Sequence, residues 1–449
     1  MIFKLLLIIK RNLFDLFFFH KSIKKIVFNL RYFKRKNLSK NIILFDNFED
    51  IHHLGYRIFL LNALQKKHNA KLFFFGKMRS LLMYIYYFSI HATHVSPPST
   101  KISVKENNQI FLNIMKKIKN KKDILNLKLG KIPIGIDLYE SYLRDYSMPT
   151  MNIKDKNFKS LLKKTIDLKN NWSLFFKKNT VKAVIISHRN YVHTNIICRI
   201  AYQNKIPVYT FSGSAEKITK FTNARLDECK YYSNIFNKLD AQEKIKGINL
   251  AKKKLSQRFS GVVGVNMSYS TKSAFTNTKI NKSLIEKTKK LNVLICTHCF
   301  FDNPHAYGGN LFADFYEWIK FLAKISHKTN YNWYIKPHPD YLPGTIEIIK
   351  KLSKNFKSIK LLNPESSFHQ LKKEGLDFVL TTYGTVAHEL PLLGINVINA
   401  DKYNPNSSFK YSYTPNSLKN YRNIILNLHK FKSLIKYKKE IYKFYYIHH

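Results

Sequence analysis

Two short polar motifs in the last third of the 449-residue chain could bind an anion such as a phosphate. The first is KPHPD at Lys336–Asp340, which directly follows an apolar run that predicts a strand. Pro337 and Pro339 fix φ, so Lys336 and His338 project from a stiff bend. Lysine supplies a point charge, and histidine a directional bond to a phosphate oxygen. The alternative is a rigid turn with a solvated lysine and a capping histidine, but the position at a strand end favours the anion site.

The second motif is TTYGT at Thr381–Thr385, followed by Glu389. A strand is predicted to end in these hydroxyl groups, Gly384 lets the backbone turn sharply, and a helix is predicted to begin at about Thr385. Free N–H groups at a helix start, with the hydroxyls of Thr382 and Thr385, could bind the same phosphate. Glu389, one helical turn later, could accept hydrogen bonds from ribose hydroxyls. The alternative is a helix-capping threonine and a glutamate without a ligand.

The elements that must position these motifs alternate along most of the chain. Short apolar runs separated by helical patterns predict parallel sheets with helices on both faces. We therefore predict an α/β fold of two doubly wound Rossmann-like domains facing each other across a cleft, with ligands at the carboxyl ends of the strands. The predicted parts are a basic amphipathic segment at 1–40, a first α/β domain at 41–255, a polar linker at 256–290, a second α/β domain at 291–412, and a basic helix or tail at 413–449.

Both motifs resemble a known family. Lys336–Asp340 and Gly384–Val397 are similar to the nucleotide-binding half of bacterial capsule polysaccharide biosynthesis glycosyltransferases with an HP motif, which are GT-B-like enzymes. The family pattern is matched by Gly384, Thr385, Glu389 and Gly394. Asn396 departs from it, because the family usually carries Pro there. A looser similarity covers Ile134–Gly213.

The resemblance implies that the two domains bind different substrates. The second domain would bind a nucleotide-activated sugar, often CMP-linked in this family, with Lys336 and His338 at its phosphate and Glu389 at its ribose. His338 would be catalytic, since fixed cations can stabilise the departing phosphate without a metal. The first domain would bind the acceptor and supply the general base. The candidates for that base, which the sequence does not rank, are Glu216, Asp137 and His188.

A further candidate loop follows the first strand of the second domain. Asp302 or His305 in this loop is expected to lie near the donor sugar. Cys296 and Cys299 with His298 could instead indicate a metal or redox site, but no second cysteine pair exists and Cys296 should point into the core from its strand. We therefore expect no metal and no cofactor.

Composition narrows the class of protein. Lys+Arg 77 and Asp+Glu 28 give a formal net charge of +49. Because lysine is spread through almost every segment, a general compositional bias is favoured over a specific nucleic-acid surface. A hydrophobic content of 45% excludes a disordered polar chain. The 4 cysteines exclude a disulfide scaffold and suit a reducing, cytoplasmic compartment.

The segment 1–40 has apolar residues at helical spacing among many lysines, and two interpretations stay open. It is either an interfacial helix on an anionic membrane or an ordinary packed helix with a solvated basic face. No apolar run approaches the roughly 18 residues that a membrane span needs.

These observations and the resemblance lead to one main hypothesis. The protein is expected to be a metal-independent cytoplasmic glycosyltransferase of surface polysaccharide biosynthesis, held at the inner face of the plasma membrane by its basic surface. Its partners would be a nucleotide-sugar donor and a glycan or lipid-linked acceptor. The alternatives are an enzyme that transfers glycerol phosphate or ribitol phosphate from a CDP-linked donor, and a non-catalytic scaffold of the assembly machinery.

Overall fold

The described part of the chain covers most of both predicted domains. The computed structural model describes residues 23–33, 39–47, 51–78, 80–97, 103–211, 218–221, 228–265, 270–276 and 282–449, with the backbone alone at 51–56, 103, 211, 219 and 228. The candidate base Glu216 and residues 1–22 of the predicted amphipathic segment lie outside the described residues. The chain divides into two compact units, Met1–Ser141 with Ile153–Asn223 and Tyr142–Asn152 with Ala224–His449.

The first unit is built on a six-stranded sheet and a small hairpin. Its strands are β1 (Asn41–Asp46), β2 (Lys71–Phe75), β3 (Thr93–His94), β4 (Lys128–Leu129), β5 (Ile132–Pro133), β6 (Thr180–Ile186), β7 (Val208–Phe211) and β8 (Ile218–Lys220). The sheet order is β3-β2-β1-β6-β7-β8, and β4 pairs with β5 in the hairpin. All pairings in the sheet are parallel except that of β7 with β8. Central β1 and β6 are nearly continuous apolar runs, as expected where helices cover both faces.

The second unit is built on a five-stranded, wholly parallel sheet. Its strands are β9 (Asn292–Cys296), β10 (Asn332–Lys336), β11 (Ile359–Leu361), β12 (Phe378–Thr381) and β13 (Asn396–Asn399). Their order is β11-β10-β9-β12-β13, so the winding reverses between β9 and β12. Every pairing in this sheet is parallel.

Helices connect and cover these strands. In the first part of the chain they are 23–32, Ile51–His68, Leu81–Ser89, Ser103–Lys117, Lys121–Leu125, Gly135–Asp145, Lys156–Lys178 and Val192–Gln203. In the second part they are Tyr232–Lys238, Ala241–Phe259, Phe315–Ser326, Thr345–Asn355, Phe368–Lys373, Val386–Glu389, Leu418–Leu426 and Lys438–His448. Short 3-10 turns occur at Glu228–Tyr231, Leu390–Leu393, Pro405–Ser408, Leu428–Lys430 and Ile435–Tyr437. Many helices begin where a side chain caps free N–H groups, as Asp240 does for Ala241–Phe259 and Asp314 for Phe315–Ser326.

The predicted fold class is confirmed: both units are α/β, doubly wound and Rossmann-like. The division between the units differs from the predicted boundary at 255/256. Helix Ala241–Phe259 belongs to the second unit, where it packs against the C-terminal helix Lys438–His448. Gly247 makes this close approach possible, because a Cβ there would lie 2.4 Å from Cδ1 of Tyr446.

One local prediction is corrected by the structure. The apolar pattern after the TTYGT motif predicts a helix over Val386–Leu393, but the α-helical part ends at Glu389. Pro391 lacks an N–H group, and the chain continues as the 3-10 turn Leu390–Leu393.

In the described residues, no helix is long and apolar enough to cross a bilayer.

Candidate functional site

The KPHPD and TTYGT bends line one pocket of about 240 Å³ in the second unit. Cys296, Lys336 and Thr381 are the last residues of β9, β10 and β12, and all three lie in the pocket wall. The pocket therefore lies at the carboxyl edge of the sheet, where the winding reverses. Open α/β sheets bind their ligands at this position.

Lys336 supplies a buried positive charge to the pocket. Its side chain is 2% exposed, and its Nζ lies 5.1 Å from the centroid of the Phe368 ring. Among the described residues, no carboxylate pairs with this ammonium and no hydrogen bond compensates for its lost hydration. Burial lowers the pKa of Lys336 to about 8. An anion in the pocket would supply the missing partner, because an opposite charge favours the charged form.

His338 is held by its own bend. Its Nδ1 lies 3.1 Å from the backbone N and 2.9 Å from the backbone O of Asp340, so this nitrogen is committed to the turn. The other ring nitrogen, Nε2, is the one that can reach a ligand. Desolvation lowers the pKa of His338 below its ordinary value, and the charge of Lys336 adds to that shift.

The carboxylate of Asp340 ties part of the predicted linker to the pocket. It accepts the N–H groups of Thr271 and Lys272, at 3.1 and 3.3 Å, and the Thr271 hydroxyl. Ser270 and Lys272 consequently line the pocket beside the KPHPD bend. Lys272 also pairs at the surface with Glu365 at 2.8 Å.

The second bend contributes backbone and hydroxyl groups, but not all of the predicted ones. Gly384 and Thr385 line the pocket, whereas Thr382 is fully buried and does not. Thr381, the residue before it, lines the pocket instead, and its Oγ1 accepts the N–H of Gly384 at 3.2 Å. Glycine suits this tight approach, because a Cβ at Gly384 would lie 2.9 Å from Thr381 Oγ1.

Glu389 lies in the pocket wall, but both of its carboxylate oxygens already have protein partners. Oε1 accepts Nε of Arg258 at 2.8 Å, and Oε2 accepts the hydroxyl of Thr385 at 3.3 Å. The side chains of Glu389 and Arg258 are 1% and 14% exposed, so this is a mostly buried ion pair. Glu389 is therefore placed to hold Arg258 at the pocket, in addition to its predicted contact with a ribose.

Aromatic side chains that the sequence analysis did not assign to the site form another part of the pocket wall. His298 stacks on Phe315, with ring centroids 4.8 Å apart, and lies 4.6 Å from the ring of Tyr383. Its Nε2 is 3.1 Å from Thr381 Oγ1. Burial, with a smaller contribution from His338, lowers the pKa of His298 to about 3, so its ring is neutral at pH 7.

The predicted donor-loop residues lie outside this pocket lining. His305 is buried, and its Nε2 is 2.9 Å from the carbonyl oxygen of Ala313. Asp302 is exposed and lies 3.7 Å from a guanidinium nitrogen of Arg144. From the same loop, Thr297, His298 and Tyr307 line the pocket instead.

The C-terminal helix brings further side chains to the pocket. Phe444, His448 and His449 line it, and the buried ring of His388 lies 5.0 Å from Phe444. Burial, together with the charges of Lys254 and Arg258, lowers the pKa of His449 to about 4. The sequence analysis predicted a basic helix or tail here without a role in the site, since nothing in its composition marks which face of the helix turns inward.

The charges of the pocket lining favour an anion. Arg258, Lys272 and Lys336 line it, whereas Glu389 is the single acidic side chain among the described lining residues. Within the described residues, no group of three or more His, Cys, Asp or Glu side chains is placed to hold a metal ion. Chemically, the pocket can bind a phosphate with two buried or half-buried cations and imidazole donors.

The candidate bases of the first unit lie in a different setting. Asp137 is 2% exposed, and its oxygens accept Nε of Arg199 at 2.6 Å and Nδ2 of Asn195 at 2.8 Å. His188 lies at the carboxyl edge of the first sheet, directly after Ser187, and is half-buried. Of the two, His188 is the more approachable by a ligand.

Comparisons with known proteins give structural similarities only. No protein-family model and no curated sequence matches the chain. A UDP-GlcNAc 2-epimerase from Neisseria meningitidis bound to UDP-GlcNAc is 13% identical over 89% of this chain and 97% of its own, with a TM-score of 0.27. The wall teichoic acid polymerase TagF is 12% identical over 98% and 91%, with a TM-score of 0.23. MurG of Acinetobacter baumannii is 10% identical over 91% and 95%, with a TM-score of 0.25. At these identities and TM-scores, the similarities do not identify an activity for this chain.

Proposed function

We propose that the protein is a glycosyltransferase of surface polysaccharide biosynthesis that binds a nucleotide-activated sugar, CMP-linked in our first choice, in the pocket of the second unit. One observation carries the proposal: Lys336 is buried at the strand-end pocket without a counter-charge among the described residues. Such a cation is costly unless an anion joins it. The phosphate of a nucleotide donor would be that anion.

The proposed chemistry is stabilisation of a leaving group. When the sugar departs from its nucleotide, negative charge develops on the phosphate. Lys336 and the Nε2 of His338 would lie at that phosphate, and preorganised donors lower the barrier where charge appears. Thr385 and Gly384 would add contacts from the opposite bend. Glu389 fixes Arg258, and the remaining lone pairs of its carboxylate would accept a ribose hydroxyl.

The decisive experiment combines ligand screening with turnover. A thermal-shift screen of CMP, CDP, UMP and UDP should show which nucleotide stabilises the protein, and the matching sugar donors should then be turned over. His338→Ala should reduce turnover by about 10²-fold or more. The matched control is His327→Ala, at an exposed position outside the pocket lining of the second unit. Wild-type turnover by His338→Ala would contradict the assigned role.

A second candidate is transfer of glycerol phosphate or ribitol phosphate from a CDP-linked donor. The observation that keeps it open is that the lining cations recognise phosphate without specifying the group attached to it. Offering CMP-sugars, UDP-sugars and CDP-glycerol in parallel separates the two. A scaffold without catalysis would turn over none of them, and polysaccharide production would persist in a His338→Ala, Glu389→Ala strain.

We also propose peripheral attachment to an anionic membrane. Helix 23–32 and helix Leu81–Ser89 are joined by a buried hydrogen bond of 3.0 Å from Asn29 to Ser89. Each exposes large apolar side chains: Phe28 is 48% and Phe88 63% exposed. Neither helix contains an acidic residue, and the first carries two lysines and an arginine. Apolar side chains beside cations are the composition of interfacial helices.

Vesicle sedimentation tests this attachment. The Phe28→Ser, Phe88→Ser double variant should bind phosphatidylglycerol vesicles several-fold more weakly than the wild type, because the apolar insertion is lost while the charge is kept. Ile245→Ser is the control, since this residue is 62% exposed but lies in the second unit. Equal sedimentation of the double variant and the wild type would contradict the proposed surface.

A further inference from the structure

His298 lies between the two bends that line the pocket of the second unit. It follows β9 by two residues, and β9 is the strand between β10 and β12, which lead into KPHPD and TTYGT. The N–H of Thr297 donates to the carbonyl oxygen of Lys336 at 3.1 Å, so the pairing of β9 with β10 continues past the strand end. The charge of His338 is close enough to lower the pKa of His298. The imidazole ring therefore lies at the centre of the carboxyl edge of the sheet.

Aromatic neighbours hold the imidazole of His298 in one orientation. The ring of Phe315 is nearly parallel to it, at an interplanar angle of 14°, and the tilted ring of Tyr383 lies at a centroid distance of 4.6 Å. Gly384 leaves room for the imidazole, because a Cβ there would lie 3.4 Å from Cε1 of His298. With the ring held by these contacts, its two nitrogen atoms have fixed directions.

The hydroxyl of Thr381 determines which nitrogen of His298 carries the proton. Thr381 is 1% exposed, and its Oγ1 accepts the N–H of Gly384 and lies 3.1 Å from Nε2 of His298. Among the described residues, no other group is placed to accept the hydroxyl proton. Because an unsatisfied buried O–H group is costly, this hydroxyl donates to Nε2. Burial lowers the pKa of His298 to about 3, so the neutral ring carries its one proton on Nδ1.

The Nδ1–H group of His298 is available to a ligand. It forms no hydrogen bond with any described residue, and its nitrogen is not a buried atom without a partner. It is therefore open to the pocket, which His298 lines. In the same wall, the ammonium of Lys336 has no counter-charge among the described residues. Two donors without protein partners suit a ligand group that only accepts hydrogen bonds, such as a phosphate.

We propose that Nδ1–H of His298 donates a hydrogen bond to an oxygen of the phosphate that the pocket binds, in the tautomer that the Thr381 hydroxyl fixes. The proposal rests on the proposed function, which puts a nucleotide phosphate in this pocket. Thr381 is a positioning residue, because it acts on the phosphate only through His298. The neutral imidazole adds direction without adding charge, so it selects where the phosphate lies, whereas Lys336 attracts any anion.

The tautomer is the first test, and it needs no ligand. Long-range ¹H–¹⁵N NMR of the full chain, with His298 assigned by its loss in His298→Gln, should show the Nδ1–H form in the wild type. Thr381→Val should move the ring towards the Nε2–H form, whereas Thr381→Ser keeps the hydroxyl and should keep the Nδ1–H form. His369 is the internal reference, because its Nε2 lies 2.8 Å from the carbonyl oxygen of Phe259 and must donate to it. An Nε2–H form of His298 in the wild type would overturn the proposal.

Phosphate affinity is the second test, measured by isothermal titration with CMP, CDP, UMP, UDP and inorganic pyrophosphate. His298→Gln can still reach Thr381 but has no donor at the position of Nδ1. It should weaken the binding of the probes by about 10-fold or more, as expected for a hydrogen bond to a charged group. His298→Asn can place an amide N–H near that position and should retain most of the affinity. Because both variants lose the imidazole ring, their difference reports the hydrogen bond rather than ring packing.

Two further comparisons control for folding and for Thr381. Thr381→Val should weaken binding with the imidazole still in place, and Thr381→Ser should bind like the wild type. His327→Gln, at an exposed position outside the pocket lining, should change nothing. Wild-type affinity in His298→Gln, or equal losses in the Gln and Asn variants, would overturn the role of Nδ1 while the pocket still binds its nucleotide. If the wild type binds none of the probes, the proposed function fails and this proposal fails with it, even where NMR shows the Nδ1–H form.

Discussion

At the scale of single residues, the candidate site depends on a lysine kept out of water. Lys336 was identifiable from sequence because a proline-flanked motif at a strand end is a local pattern. Its missing counter-charge was not, since that depends on what surrounds the strand end. Arg258 was missed for the same reason: it lies 131 residues before Glu389, among 77 lysines and arginines that look alike in sequence.

The lowered pKa of Lys336 gives a pH prediction for the binding of the nucleotide that the screen selects. Below about pH 8 the ammonium is charged and can pair with phosphate; as pH rises through about 8 the free protein loses that charge, so affinity should fall. Isothermal titration at pH 6.5, 7.5, 8.5 and 9.5 measures this. Lys336→Met should bind weakly without that decline, and Lys328→Met, at an exposed position, should follow the wild type. A decline that persists in Lys336→Met would contradict the assignment.

At the scale of elements, alternating apolar runs predicted the presence of strands and helices, because local periodicity and capping residues determine where such an element forms. The spatial order of the strands was not readable, since pairing partners are far apart in sequence. The helix after Thr385 shows the limit of pattern reasoning in another way. The helical spacing of its apolar residues continues to Leu393. Because Pro391 cannot donate a backbone hydrogen bond, the α-helix is only four residues long. The proposed phosphate binding at this bend would therefore depend on side chains and the turn rather than on the dipole of a long helix.

The ion pair between Arg258 and Glu389 joins helix Ala241–Phe259 to this short helix, and its removal tests that link. Arg258→Met leaves a buried carboxylate without its cation, which should cost about 3–5 kcal/mol. Urea unfolding, monitored by circular dichroism, should show a lower midpoint urea concentration for Arg258→Met than for the wild type. The Arg258→Met, Glu389→Leu double variant should recover most of the loss, and Arg422→Met, at an exposed site, should change little. An unaltered midpoint for Arg258→Met would mean that the pair does not hold the two elements together.

At the scale of the whole molecule, the fold class follows from alternation, but the unit boundary does not. Composition marked 256–290 as a linker, yet helix Ala241–Phe259 packs within the second unit, and Thr271 and Lys272 donate hydrogen bonds to Asp340. This helix packs against the C-terminal helix, with Gly247 close to Tyr446, and the two positions are about two hundred residues apart in sequence. A polar composition therefore does not by itself locate a boundary between domains.

The net charge of +49 attracts any polyanion, so specific nucleotide binding must be separated from general attraction. Binding to duplex DNA neutralises many phosphates, and its affinity should fall by about 10³-fold or more between 50 and 200 mM NaCl if six or more contacts form. A mononucleotide in the pocket meets only a few cations and should lose far less affinity over the same range. Fluorescence anisotropy with a labelled duplex and titration calorimetry with the nucleotide measure the two slopes. His338→Ala should weaken nucleotide binding and leave DNA binding unchanged. If the variant weakens both equally, or if the two affinities fall with salt in parallel, the pocket is no more than part of a diffuse basic surface.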